Sequence, residues 1–347
     1  MERAEQVRGP LGLVDELTDL DHLEPLDSYA SQMGDATARM LAEGVDALEV
    51  TQAVAHVNDV LTSRLLELTE QRHGPPPFAY AWLALGSHGR GEQVLSSDQD
   101  SALAYGGPRI AEGDPDDYFG KLTGPVVAAL ARAGIPRCTG DYMATRWRYP
   151  LATFEDHFNR WVNDPMPSDL LKAEIFLDVR PVHGTLDVAL LDDILVAGSR
   201  RGSFLMQMAR ATVTFRPPVT FLGHVHTDHG YLDIKRRGTA AIVLLARLYA
   251  LAAGSNARTT LLRLQVAADA GTLSRAGVEQ LTDAYRLLTD LRLRHQVDQT
   301  RNGTPVDNRV RVDALTSADR RRLRSAIRTT RVIQEITANR YQTHTVT

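Results

Sequence analysis

Two short segments hold the residue types and spacing that could do chemistry. Leu85-Gly86-Ser87-His88-Gly89-Arg90-Gly91-Glu92 leads into Ser97-Asp98-Gln99-Asp100. Residues two apart on an extended chain point to one face, so Asp98 and Asp100 would project paired carboxylates into a single site. Hard oxygen donors of this kind suit Mg2+, or Mn2+ in its place, held by one or two carboxylates together with substrate phosphates. Glycine at position 86 lets backbone approach a phosphate with no Cβ in the way. The Ser87 hydroxyl and the neighbouring amides can bind phosphate oxygens, helped if a helix begins there. Arg90 would neutralise a triphosphate, and Glu92 would fix Arg90 or the turn. A Gly-Ser turn alone, or a D-x-D pair alone, more often belongs to a solvated turn or a cap. Found in this order between two apolar runs, they point to metal-assisted phosphoryl transfer.

The elements that must position these residues can be read from periodicity. From about Leu11 to Gln71 the pattern is helical, with Val54, Val57, Leu61, Leu65 and Leu68 on one face. His73-Gly74-Pro75-Pro76-Pro77 stops that helix, because proline lacks the amide donor and restricts the residue before it. The apolar run Phe78–Leu85 then predicts a buried strand ending at Gly86, and Asp100–Tyr105 predicts another. Tyr118–Ala133 reads as a helix and Ile135–Ala144 as a further strand. Thr153–Val162 and Asp169–Val182 are two more elements; Ile175, Phe176, Leu177 and Val179 suit a strand or a buried helix equally. Helical spacing returns over Ala240–Ala253, Arg258–Ala270, Ser274–His295 and Ser317–Ala338, with Gly254 and Gly271 as stops. The expected organisation is a helical region over residues 1–75, a core over 76–195 and a second helical region over 196–347.

Other clusters carry less. His224, His226, Asp228 and His229 could suggest a metal, but they lie in a Gly-bounded loop with no cysteine nearby, which reads as a solvated loop. Ser87 lacks the G-x-S-x-G elbow of a hydrolase nucleophile. Arg320, Arg321, Arg322, Arg324, Arg328 and Arg331 form a helical charge run of the kind that is usually a solvated face, the alternative being an acidic partner. Asp233 and Lys235 are either a turn pair or contacts to nucleotide or acceptor. Arg292, His295 and Gln296 share a helix surface and could meet a substrate or buttress the helices.

Composition narrows the classes. The 347 residues carry a net charge of -4, 43% hydrophobic and 24% charged residues, an ordinary globular mix. The acidic balance, with no aromatic-rich basic stripe, argues against a nucleic-acid partner. Cys138 is the single cysteine, so no intramolecular disulfide can form and a reducing, cytoplasmic setting fits best. The first twenty residues have no apolar core of a secretory signal. The longest apolar stretch, Ala240–Ala253, is interrupted by Arg247 and too short to span a bilayer, so no membrane association is expected.

The whole of GSHGRGEQVLSSDQD resembles the signature of the bacterial nucleotidyltransferase family DUF294, relatives of the protein-PII uridylyltransferase in the polymerase-β-like superfamily. The likeness continues through Val57-Asn58-Asp59, Ile175-Phe176-Leu177-Asp178-Val179-Arg180, Leu232-Asp233-Ile234-Lys235, Thr259–Leu264, Leu291–Gln296 and Asp307-Asn308. It implies an α/β (α+β) nucleotidyltransferase core with a small mixed sheet between helical regions, the whole mostly helical. It also implies transfer of a nucleotidyl group from an NTP, UTP or ATP, to a hydroxyl acceptor, with a protein acceptor as first choice. A catalytically degenerate nucleotide-sensing module is the alternative. Enzymes of the superfamily use a third carboxylate, for which Asp141 and Asp178 compete. Asp141 is preferred for its place after the Tyr118–Ala133 helix, while Asp178 is expected to line the same cleft and pair with Arg180. Lys235 and Arg292, in the part that resembles the family's substrate-binding domain, join Gly86, Ser87, Arg90 and Glu92 as expected nucleotide contacts.

Overall fold

The computed structural model describes residues 10–343 except 24–25, 108–114, 165, 167–172, 216 and 219–224. The chain divides into two compact units. The first comprises Met1–Asp156, Ile175–Val188 and Gln296–Val306, and the second His157–Glu174, Ala189–His295 and Asp307–Thr347. The described part is mostly helical with a small mixed sheet, as the resemblance implied.

In the first unit, α1 (Pro10–Thr18) and α2 (Tyr29–Ala42) pack on the long α3 (Ala47–His73). Asp46 starts α3 by accepting from the Leu48 amide at 2.9 Å. At its far end Gly74 takes φ +82, a conformation that L side chains rarely adopt. The five apolar residues that share its predicted face, Val54, Val57, Leu61, Leu65 and Leu68, are all buried. They join one core with Trp82 and Leu103 of the sheet and Phe119, Leu122 and Val126 of α5 (Pro115–Arg132).

The sheet has the order β3-β2-β1-β4, built from β1 (Tyr80–Ala84), β2 (Ser101–Tyr105), β3 (Arg148–Pro150) and β4 (Arg180–Gly184). β1 is antiparallel to β2 from Tyr80↔Tyr105 to Ala84↔Ser101, and antiparallel to β4; β2 and β3 are parallel. β1 and β2 are buried throughout, which explains why both read as continuous apolar runs instead of an alternation. Tyr80 and Tyr105 meet the Phe119 ring at 5.7 and 4.7 Å, fixing α5 over one face.

Two readings of the sequence need correction. Ile135–Ala144 is not a strand: it forms one isolated parallel bridge, Arg137 to Gln99, and then a turn. Pro136 offers no amide, and Asp141 sits at φ +62, so a ladder cannot continue; the third strand begins only at Arg148. The stretch from Ile175 is both things that the pattern allowed. Residues 173–176 are helical, 177–178 turn, and β4 follows.

In the second unit, α6 (Leu151–Asn163), whose last turns belong here, is followed by α7 (Ala189–Gly198) and α8 (Gly202–Thr214). The apolar α9 (Ala240–Ala252) packs on α8 and on α10 (Thr260–Asp269), and α12 (Ser317–Arg340) packs on α8 and α9. The body of α11 (Arg275–Arg301) lies in this unit, and its end from Gln296 counts with the first. Gly254 and Gly271 terminate α9 and α10 at φ +73 and +67, as expected. A small sheet, β5 (Tyr231–Asp233) against β6 (Arg309–Arg311), and a π-helical turn at Lys235–Thr239 carry no periodic signal. Among the described residues, no helix is long and apolar enough to cross a membrane.

Candidate metal and nucleotide site

The Gly-Ser segment folds as a one-turn helix, α4 (Gly86–Gly89), directly after β1. Gly86 sits at φ +53, and a Cβ there would lie 2.7 Å from Oδ2 of Asp100. The close neighbour that demands glycine is therefore the second carboxylate of the D-x-D pair. A Cβ at Gly89 would lie 1.9 Å from the Asp178 carbonyl oxygen, so this turn packs on the backbone ahead of β4.

Asp98 and Asp100 flank Gln99, which anchors them both. The Gln99 amide donates to the Pro136 carbonyl at 2.8 Å, and its buried side chain donates to the Ile135 and Val127 carbonyls at 2.8 and 3.2 Å. Asp100 O accepts from the Leu85 amide at 3.0 Å, and the Ser101 amide donates to Tyr142 O at 2.9 Å. Upstream, Ser97 closes a turn by accepting the Val94 amide at 2.9 Å. Ser96 Oγ accepts from Gln296 Nε2 at 2.7 Å.

Beside the pair stands a residue that the sequence reading did not single out for the site. One ligand atom each from Asp98, Asp100 and Cys138 lie within 4.8 Å of one another, all three half-buried. Burial, together with the negative charge of Asp100, pushes the Cys138 thiol up to about 11. Two carboxylates and a thiol at this spacing can hold a divalent cation, and the space that Gly86 leaves is filled by one of the donors. No other described group of three or more His, Cys, Asp or Glu converges in this way. Within the histidine cluster, His226, Asp228 and His229 are exposed, and His224 lies outside the described residues.

The two candidates for a third carboxylate are not part of that group. Asp141 is exposed and faces Arg146 at 3.0 Å. The Asp178 carboxylate is wholly buried and hydrogen-bonds Arg90, whose Nε donates to Glu92 at 2.8 Å. Glu92 thus fixes Arg90, as read from the sequence, but the expected pairing of Asp178 with Arg180 is replaced. The chain turns at 177–178 before β4, and Asp178 and Arg180 take separate partners: Asp178 hydrogen-bonds Arg90, and Arg180 bonds Asp59 and the carbonyls of α4. Ser87 is half-buried on α4.

Arg180 and α3 form a support for α4 that the sequence reading missed. Nη2 of Arg180 donates to Asp59 at 3.0 Å and to His88 O at 3.1 Å, and Nε donates to Gly89 O at 3.2 Å, so one guanidinium ties the last carbonyls of the turn to α3. Asp59 also pairs with His88 Nε2 at 2.7 Å. Burial raises the Asp59 carboxyl, but hydrogen bonds from His88 and Arg180 and their charge outweigh it and hold the group below the usual carboxylate value. One residue earlier, Asn58 donates to Gln93 at 2.9 Å and accepts from Tyr29 at 2.5 Å. The available signal was the Val57-Asn58-Asp59 segment, which puts Asn58 among the buried residues of α3 with Asp59 beside it.

Lys235 and Arg292 belong to the second unit. Lys235 opens the π-helical turn and is half-buried. Arg292 is buried and donates from Nε to Asn308 at 2.6 Å, while His295 pairs with Asp307 at 2.9 Å. Asn308 O in turn accepts from the Ile234 amide at 2.9 Å, so these contacts hold the strand pair to α11. The arginine run of α12 is a largely exposed face. A cavity of about 1130 Å³ in this unit is lined by Tyr231, Arg236, Arg237, Arg309 and Gln334 among others.

Two family matches cover most of the chain. Residues 31–168 match "Putative nucleotidyltransferase DUF294", and residues 202–341 match "Putative nucleotidyltransferase substrate binding domain". The first includes the Gly86 turn, Asp98, Asp100, Cys138 and Asp141; the second includes Lys235 and Arg292; Asp178 and Arg180 fall between them. A search of the curated proteins finds no match. With its transferase region and its substrate-binding region both matched and in order, the chain belongs to the DUF294 nucleotidyltransferase family.

Proposed function

We propose that the chain transfers a nucleotidyl group from an NTP, UTP or ATP, to a hydroxyl acceptor, with a tyrosine or serine of a partner protein as first choice. The observation that carries this reading is the convergence of Asp98 and Asp100 beside the Gly86 turn. The two carboxylates would hold Mg2+, or Mn2+, which when bound neutralises phosphate charge and orients the reacting oxygens.

In the reaction, the acceptor oxygen forms a bond to the α-phosphorus as the bond to the α–β bridging oxygen breaks. Pyrophosphate leaves, and the acceptor proton passes to a base. The α4 amides and Ser87 bind phosphate oxygens, and Arg90, held by Asp178 and Glu92, offers its charge to the triphosphate. Asp141, exposed and on the turn that follows Cys138, is assigned to take the proton. Asp178, buried on Arg90, is assigned to position that arginine. The second unit, with Lys235 and Arg292, is assigned to the acceptor or nucleotide, in keeping with the family description of that region. Resemblance to the protein-PII uridylyltransferase supports the protein acceptor. A cytoplasmic setting, where Cys138 stays reduced, fits the reading.

The test uses the pure protein with each of four labelled NTPs, Mg2+ and a cell lysate. Label should pass to an acceptor, and Asp98→Asn and Asp100→Asn should each abolish transfer. At about 100 times its dissociation constant, the preferred NTP should stabilise the fold by ~2.7 kcal/mol. Binding without transfer would favour a nucleotide sensor. No binding of any NTP would remove both readings.

A further inference from the structure

Cys138 has surroundings unlike those of an ordinary structural cysteine. A free cysteine usually behaves as a small buried hydrophobe. Here the thiol is half-buried, and its sulfur faces two carboxylates, with a ligand atom from each within 4.8 Å. The sulfur is also held in place. Arg137 bridges Gln99, the residue between the two aspartates, and the Asp141 amide donates to Cys138 O at 3.2 Å. The donor that completes the trio is therefore soft, where a magnesium site would take a third oxygen.

We infer that Cys138 is a sulfur ligand of the cation held by Asp98 and Asp100, so that this centre accepts thiophilic divalent ions such as Co2+, Zn2+ or Cd2+ in a mixed carboxylate–thiolate set. Mg2+ uses the two carboxylates and leaves the thiol protonated, because magnesium favours oxygen. When a thiophilic ion enters, a metal–sulfur bond forms as the S–H bond breaks, and the proton goes to solvent. The ion's own charge drives that loss, as it does at coordinating thiols generally. The consequence is competition: a thiophilic ion displaces Mg2+ and sets which metal state the transferase occupies. This inference rests on the assignment of Asp98 and Asp100 as the metal pair.

Co2+ reports the bond directly, since a thiolate bound to it gives a near-ultraviolet charge-transfer band. Cys138 is the only cysteine in the chain, so such a band has one source. The full-length protein should show the band on Co2+ addition, and Cys138→Ser should lose it. In calorimetry, the same change should weaken Co2+ by roughly tenfold or more, the scale on which changes around a metal site act, and leave Mg2+ affinity nearly unchanged. Cys138→Ala, with its melting compared, guards against a folding defect in the serine variant. Co2+ that binds without the band, or equally well to Cys138→Ser, overturns the sulfur ligand and leaves the aspartate pair standing. Absence of any Co2+ and Mg2+ binding overturns both.

Discussion

Gly86 and Asp100 are locked together: the carboxylate of Asp100 occupies the space that a side chain at position 86 would need, with only 2.7 Å to Oδ2 for an added Cβ. Gly86→Ala must therefore move Asp100 or the turn, besides paying for φ +53 with about 1–3 kcal/mol of backbone strain. We expect divalent-metal affinity to fall about tenfold. Gly91 provides the control, at φ +68 with nothing within 4 Å of an added Cβ. Gly91→Ala should cost stability and leave metal binding near wild type. Equal losses of metal in the two variants, by calorimetry, would show that strain and not the carboxylate contact matters.

Two ion pairs should separate sharply in stability. Asp178 is wholly buried against Arg90, and removing one partner of such a pair costs about 3–5 kcal/mol. Asp141 and Arg146 are exposed, so their pair contributes ~0–1 kcal/mol. Urea denaturation of Asp178→Asn and Asp141→Asn should reproduce that order. Asparagine tolerates the positive φ at 141, which keeps backbone strain out of the comparison. If Asp141 takes the acceptor proton, Asp141→Asn should also lower turnover while NTP affinity holds. A fully active Asp141→Asn would withdraw that role.

Asp59 gives a dependence on pH. Its carboxyl is held below the usual value in the folded chain by His88 and Arg180, against the opposing effect of burial. Its contribution is thus fully present above the ordinary aspartate range and is lost as pH falls through the depressed folded value. Asp59→Asn should lower the urea midpoint at neutral pH and flatten its decline in acid. Parallel curves for variant and wild type would mean that the His88–Arg180 contacts do not stabilise the charged form.

Lys235 and Arg292 should behave differently from one another. Arg292 is buried on Asn308, so Arg292→Ala should cost about 1.5–3 kcal/mol of stability. Lys235→Ala should leave melting near wild type and lower kcat/KM for NTP or acceptor by a comparable free energy, on the order of tenfold or more. Normal kinetics in Lys235→Ala would remove that lysine from substrate recognition.

The motif turn, its two flanking strands and the long helix before them were legible because their signals are local. A continuous apolar run, a proline stop and a 3.6-residue period need no partner to be read. The placement of Cys138, Asp59 and Arg180 was not legible, since it depends on pairing between segments up to 121 residues apart. The false strand at Ile135–Ala144 has the same origin. Its apolar content suited a sheet, and it does run beside Gln99 and Ser101, but Pro136 and the Asp141 turn keep it from forming a ladder. The Asp178–Arg180 pairing expected from their closeness in sequence fails because the chain turns between them, and Asp178 meets Arg90 instead.

The interleaving of the two units along the chain bears on how the protein can be cut. A fragment that ends before residue 296 keeps all four strands of the first unit's sheet and both Asp98 and Asp100. It lacks Gln296, whose amide holds Ser96 two residues ahead of Asp98, and Thr300, whose methyl fills the space beside Gly34. Truncation would thus remove one tether from the loop ahead of the carboxylate pair, which Gln99 still anchors, and open a notch on α2. A transferase fragment made for crystallisation or screening should be joined to residues 296–306 by a linker, or left whole.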